Sequence, residues 1–119
     1  MPRAHPERDI QIKVASFLAL MEMRGHLTYF HPPNGGSRGA REGANFKRMG
    51  VRAGVPDLCI MWVGGYGFIE LKAPKGKLSK NQREYHGTLE KHGAQVRTAS
   101  SLSEVKESLE TWGCPGLPF

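Results

Sequence analysis

The stretch Gly54-Val-Pro-Asp57-Leu-Cys-Ile-Met-Trp-Val-Gly64-Gly65-Tyr-Gly-Phe-Ile-Glu70-Leu-Lys72 sets two short apolar runs on either side of paired glycines. Runs of this kind around a Gly-Gly step read as the two strands of a β-hairpin. With Gly64 and Gly65 as the turn, Val63 faces Tyr66, Asp57 lies opposite Lys72, and Glu70 lies opposite Cys59. Side chains alternate between the faces of a strand, so Asp57, Cys59, Glu70 and Lys72 point the same way. A four-residue loop, Gly64 to Gly67, keeps that parity. A three-residue loop would send Asp57 to the other face unless a bulge restored it.

Leu58, Ile60, Trp62, Ile69 and Leu71 occupy the opposite face, and Met61, Val63, Tyr66 and Phe68 make the charged face apolar near the turn. A hairpin apolar on both faces belongs inside a sheet covered on both sides. The rest of the chain offers those layers. Ile10, Val14, Phe17, Leu18 and Met21 recur at helical spacing between about Pro6 and Gly25. Leu27 to Phe30 reads as a strand. Ser79-Lys-Asn-Gln82 is a capping box opening a helix that runs to about Lys91, and Ala94 to Ala99 reads as another strand. Ser101-Leu-Ser-Glu104 is a second capping box, starting a helix with Leu102, Val105 and Leu109 on one face. At 119 residues the chain is expected to form a single α/β domain over 1–119, with its core at about 7–110 and an irregular tail at 113–119.

Two carboxylates and an ammonium on one face suit the hydrolysis of a phosphodiester. Such a reaction needs a cation against the scissile phosphate and an activated water, and Mg²⁺ supplies both when carboxylates hold it with positions left open. Asp57 and Glu70 suit the ligands, the carbonyl of Leu71 between them could complete the protein's share, and Lys72 could orient or deprotonate the water and stabilise phosphate charge. A lone Glu-x-Lys is usually a solvated pair at a strand end. Pro-Asp, an apolar strand, a tight turn and a second strand ending Glu-Leu-Lys is a much rarer combination.

Gly-Val-Pro-Asp57 together with Ile-Glu70-Leu-Lys72 resembles the PD-(D/E)xK nuclease signature. The closer likeness is to the VRR-NUC (virus-type replication-repair nuclease) family. It rests on Glu7 in the first helix, the Pro33-Asn34-Gly35-Gly36 loop, Lys47-Arg48-Met-Gly50 leading into Gly54-Val-Pro-Asp57, and Leu78-Ser79-Lys-Asn-Gln82. The resemblance implies an α/β nuclease sandwich with a central mixed sheet flanked by helices. It also implies Mg²⁺ or Mn²⁺ at Asp57 and Glu70, a catalytic Lys72, and supporting roles for Glu7 and Gln82, with Glu7 a further metal ligand. Each of the last two has a local reason to be there as well: a carboxylate in a first helical turn complements the helix dipole, and a glutamine at the third helical position completes a capping box.

A net charge of +6 favours an anionic partner, and with no membrane-length apolar run nucleic acid is the expected one. The segment from Pro32 to Gly43 is rich in glycine and carries Asn34, Arg38 and Arg41; Lys47, Arg48 and Arg52 extend it to Asp57, and Lys75 and Lys77 follow Lys72. Exposed backbone N–H groups and guanidinium forks suit phosphate contact, as a solvated connection would equally suit these residues. Cys59 and Cys114 form no disulfide or zinc pattern, and Arg3, Glu7, Arg8 and Asp9 stand where a signal peptide would be apolar. A bacterial cytoplasm, the chain being bacterial or from a phage inside its host, is the expected compartment. The histidines His5, His26, His31, His86 and His92 show no ligand spacing and read as surface or loop residues.

These features lead to the expectation of a metal-dependent endonuclease for branched or structured DNA, with a four-way-junction resolvase acting as a homodimer as the leading form. Dimerisation is implied by the resemblance to small stand-alone members and by the small surface of one domain. The alternatives are a flap- or nick-directed endonuclease, and a DNA-binding module of a repair or replication assembly that does not cut.

Overall fold

The computed structural model describes residues 6–32 and 47–118. Helix α1 (Pro6–Met23) leads to strand β1 (Thr28–Phe30), then β2 (Leu58–Trp62) and β3 (Gly65–Leu71) form the hairpin. Helix α2 (Lys80–Lys91), strand β4 (Val96–Ala99) and helix α3 (Leu102–Thr111) complete the order. The four strands make one mixed sheet in the order β1-β2-β3-β4, antiparallel except for the parallel pair β3 and β4. A parallel pair needs a crossover, and α2 provides it. No helix among the described residues is long and apolar enough to cross a membrane.

The core lies on the sheet face formed by Leu58, Ile60, Ile69, Leu71 and Ala99, where Val14, Phe17, Leu18 and Met21 of α1 meet Val105 and Leu109 of α3. Helices α1 and α3 each bury one stripe there, as the 3.6-residue spacing of their apolar positions dictates. Ser101 Oγ caps α3 by accepting from the N–H of Glu104, but Glu104 reaches back to the N–H of Ser100, so the box expected at Ser101 is only half made.

The hairpin turn differs from expectation by one position. Val63 and Gly64 form the turn, which puts Cys59 opposite Phe68 and Trp62 opposite Gly65, and extends to Asp57 opposite Glu70 rather than Lys72. Gly64 takes φ +103°, while Val63 is 99% exposed. Gly65 stays in β3 because the Trp62 ring lies over it: a Cβ at Gly65 would come within 2.8 Å of the indole nitrogen. The loop is still even in length, so Asp57, Glu70 and Lys72 keep a common face.

The expectation of cover on both faces also needs correction. Helix α2 lies over the Glu70 end of the charged face, whereas Phe30, Met61 and Tyr66 on that face are exposed. A twelve-residue helix spans too little of the sheet to reach the turn.

Gly54 ties the chain before Asp57 to α2. Its φ is +85°, and a Cβ there would sit 2.2 Å from the carbonyl oxygen of Asn81. Gly54→Ala is therefore expected to destabilise the fold by about 2–4 kcal/mol, through a strained backbone and a clash that neither main chain can relieve cheaply. Urea denaturation checks this, and an unchanged midpoint would refute the close approach.

Candidate active site

Asp57 precedes β2, directly after the buried Pro56, and its Oδ2 accepts the N–H of Leu71 at 2.8 Å. That bond locks the loop carboxylate onto the neighbouring strand. The ring Nδ1 of His31, the residue after β1, donates to the Asp57 carbonyl, so the main chain of Asp57 is held from the end of β1 and its carboxylate from β3. Glu70 lies deeper, 2% exposed, beside Asp57. Desolvation, and then the neighbouring Glu70 carboxyl, push the Asp57 carboxyl up to about 6, against the lowering effect of the Leu71 N–H and the His31 charge.

Helix α2 holds Glu70 from above. Ser79 Oγ accepts from the Gln82 N–H at 3.1 Å and Gln82 Oε1 accepts from the Ser79 N–H at 2.8 Å, completing the capping box. The same glutamine then donates Nε2 to Glu70 Oε2 at 3.3 Å. The local and the site reading of Gln82 are thus both satisfied by one side chain, and only an amide serves both, since a glutamate would face Glu70 with a second negative charge. One turn later, His86 Nε2 stands 3.6 Å from Glu70 Oε1, and both atoms are buried without a hydrogen-bond partner.

Lys72 follows β3, with its N–H bonded to the Ala99 carbonyl at 3.0 Å. Its Nζ lies 4.0 Å from Glu7 Oε1 across the first turn of α1. The structure therefore brings Glu7 to the site through Lys72. Lys47, Arg48, Arg52, Lys75 and Lys77 are all exposed, and the Arg52 guanidinium sits 4.7 Å over the Tyr85 ring. Asn34, Arg38 and Arg41 lie outside the described residues.

The donor set fits a hard divalent cation. Two adjacent carboxylates, Asp57 raised first by desolvation and then by Glu70, and Glu70 with one buried oxygen that has no hydrogen-bond partner, are the arrangement that a cation relieves. Among the described residues no group of three or more His, Cys, Asp or Glu side chains converges. The ligands available are thus the Asp57 and Glu70 oxygens and main-chain carbonyls such as that of Leu71, a set that leaves positions open for water and phosphate.

His86 and His31 are the site residues that the sequence reading passed over as surface or loop positions. For His86 the signal was available: it lies four residues after Gln82, on the same helical face. His31 offered none, because its contact with Asp57 crosses 26 positions of chain.

Comparison with known proteins adds the family. No curated protein sequence matches the chain. A solved structure described as a "VRR_NUC domain protein" has the same fold, with a TM-score of 0.71 at 24% identity over 94% of this chain and 91% of that one. Another, described as a "VRR_NUC domain", has a TM-score of 0.62 at 20% identity over 90% of this chain and 97% of that one. The family model for the VRR-NUC domain matches residues 37–102, a span that holds Asp57, Glu70, Lys72 and Gln82 and exceeds half the chain. With that match, the chain belongs to the VRR-NUC family and is a nuclease of the PD-(D/E)xK type.

Proposed function

We propose that the protein is a divalent-metal-dependent endonuclease for structured DNA, resolving four-way junctions as a homodimer. The observation that carries the reading is the convergence of Asp57, Glu70 and Lys72 on one face at the end of the hairpin, with Glu70 Oε1 left unsatisfied. Mg²⁺ or Mn²⁺ held by Asp57 and Glu70, with the Leu71 carbonyl as a further candidate ligand, would supply charge neutralisation at the scissile phosphate; Glu7, expected from the resemblance as a ligand, stands instead against Lys72 and has a supporting role. Lys72, held between the sheet and Glu7, orients the attacking water and offers its charge to the phosphate. Gln82 keeps the Glu70 carboxylate in place.

Substrate contact is assigned to the exposed cations around this face: Lys47, Arg48 and Arg52 before Asp57, Lys75 and Lys77 after Lys72. Asn34, Arg38 and Arg41, outside the described residues, are proposed as further nucleic-acid contacts. Exposed Phe30, Met61, Val63 and Tyr66 give the monomer an apolar surface suited to self-association, and a twofold pair of sites suits paired cuts. The two free, buried cysteines accord with action in a reducing cytoplasm.

The test is a panel of end-labelled four-way junctions, flaps, nicked duplexes and linear duplexes with Mg²⁺ or Mn²⁺, with products mapped on both strands. Symmetric paired cuts in the junction are expected, from a protein that sediments as a dimer. Preference for flaps or nicks would replace the junction reading with the flap-directed one. Tight, salt-sensitive binding without cleavage by any divalent ion would leave a binding module.

A further inference from the structure

His86 is a buried titratable side chain for which neither the hairpin nor the basic surface gives a task. It projects from α2 one turn beyond Gln82, and its side chain is 6% exposed against 2% for that of Glu70. Glu70 has two carboxylate oxygens, and the helix faces each with a different side chain. Gln82 Nε2 donates to Oε2 at 3.3 Å, and His86 Nε2 faces Oε1 at 3.6 Å. That separation is a few tenths of an ångström beyond a hydrogen bond, and both atoms are buried with no other partner. Burying an imidazole nitrogen beside a carboxylate oxygen is costly unless the two are bonded. A small rotation of either side chain makes that bond, giving His86 Nε2 its acceptor and Glu70 Oε1 one donor with a lone pair left over.

We propose that His86 is a positioning residue for Glu70: its Nε2–H donates to Oε1 while Gln82 holds Oε2, so that consecutive turns of α2 fix the carboxylate and leave the second lone pair of each oxygen for a cation. The neutral tautomer with hydrogen on Nε2 suffices, and no proton is exchanged. The same helix is seated by Gly54 against the loop that leads to Asp57, so α2 sets both carboxylates relative to each other. The proposal rests on the assignment of Asp57 and Glu70 as metal ligands.

The experiment is calorimetric titration of Mn²⁺ into the metal-free protein without DNA, on wild type, His86→Phe, His86→Gln and Asp57→Asn, with thermal melts of each in EDTA. His86→Phe fills the space without a donor, and His86→Gln restores one. His86→Phe is expected to weaken Mn²⁺ binding by about 10-fold or more, with His86→Gln recovering part of the loss. Should His86→Phe lose the wild-type melting profile, His86→Leu takes its place. Wild-type affinity in the folded donor-free variant, alongside loss in Asp57→Asn, would overturn the positioning role alone. Unchanged affinity in Asp57→Asn would overturn the ligand assignment and the proposal with it.

Discussion

Lys72→Ala is expected to lower the single-turnover cleavage rate by on the order of 10²–10⁴-fold while lowering stability by only about 1 kcal/mol. The two effects separate because the main chain and the side chain of Lys72 do different jobs. Its N–H is bonded to the Ala99 carbonyl at 3.0 Å, a sheet contact that any residue but proline would make. Its ammonium has one described ion-pair partner, Glu7, at 4.0 Å, and the Glu7 side chain is 54% exposed. Such a half-solvated pair contributes little to folding. The Lys72 side chain itself is 16% exposed, so losing its packed methylenes costs on the order of 1 kcal/mol. In the proposed reaction, by contrast, its charge acts on the attacked phosphate, since Lys72 shares a face with Asp57 and Glu70. Cleavage of the best substrate in the panel, measured beside urea denaturation, checks both halves. A folded variant cutting within a few-fold of wild type would remove Lys72 from the chemistry.

Asp57→Asn should abolish metal-dependent cleavage and, in the absence of metal, make the protein more stable at pH 8. Desolvation and the adjacent Glu70 raise the Asp57 carboxyl from 3.8 to about 6. A raised carboxyl means that the folded state holds its proton more tightly than the unfolded chain. The resulting stability is fully present below about pH 3.8 and is lost as pH rises through about 6. At pH 8 the wild-type protein therefore carries a destabilising carboxylate pair, worth about 1–2 kcal/mol after allowance for solvent screening. Asparagine carries no charge, can still accept the Leu71 N–H and can donate to Glu70. Melts in EDTA should show the variant a few degrees above wild type at pH 8, with the gap closing near pH 4. Added Mg²⁺ should raise the wild type and leave the variant where it is. A wild-type protein more stable than Asp57→Asn at pH 8 without metal would contradict the crowding of the two carboxylates.

Much of this site is written in local pattern. Glu70 and Lys72 share a face because a strand has a period of two, and no packing detail can alter that. Asp57 joins them because the hairpin loop is even, a condition met equally by a turn at Gly64-Gly65 and at the observed Val63-Gly64. Choosing between those turns was beyond local pattern, since either glycine can take a positive φ. The Trp62 ring, which needs the bare face of Gly65, decides it. The Ser79–Gln82 box was legible for the same reason as the strand faces: its partners are three residues apart.

The sequence alone determined the helices, the strands, the family likeness and the common face of Asp57, Glu70 and Lys72, because each depends on spacing within one segment or across one tight turn. Tertiary structure decided what those side chains meet. Where α2 lands on the sheet sets Gln82 and His86 against the two oxygens of Glu70. Where α1 lands sets Glu7 against Lys72, and where β1 pairs sets His31 against Asp57. These contacts join residues far apart in the chain. Burial of apolar faces on the other side of the sheet orients α1 and α3, while α2 is seated on the charged face by Gly54 against Asn81 and by its own contacts with Glu70.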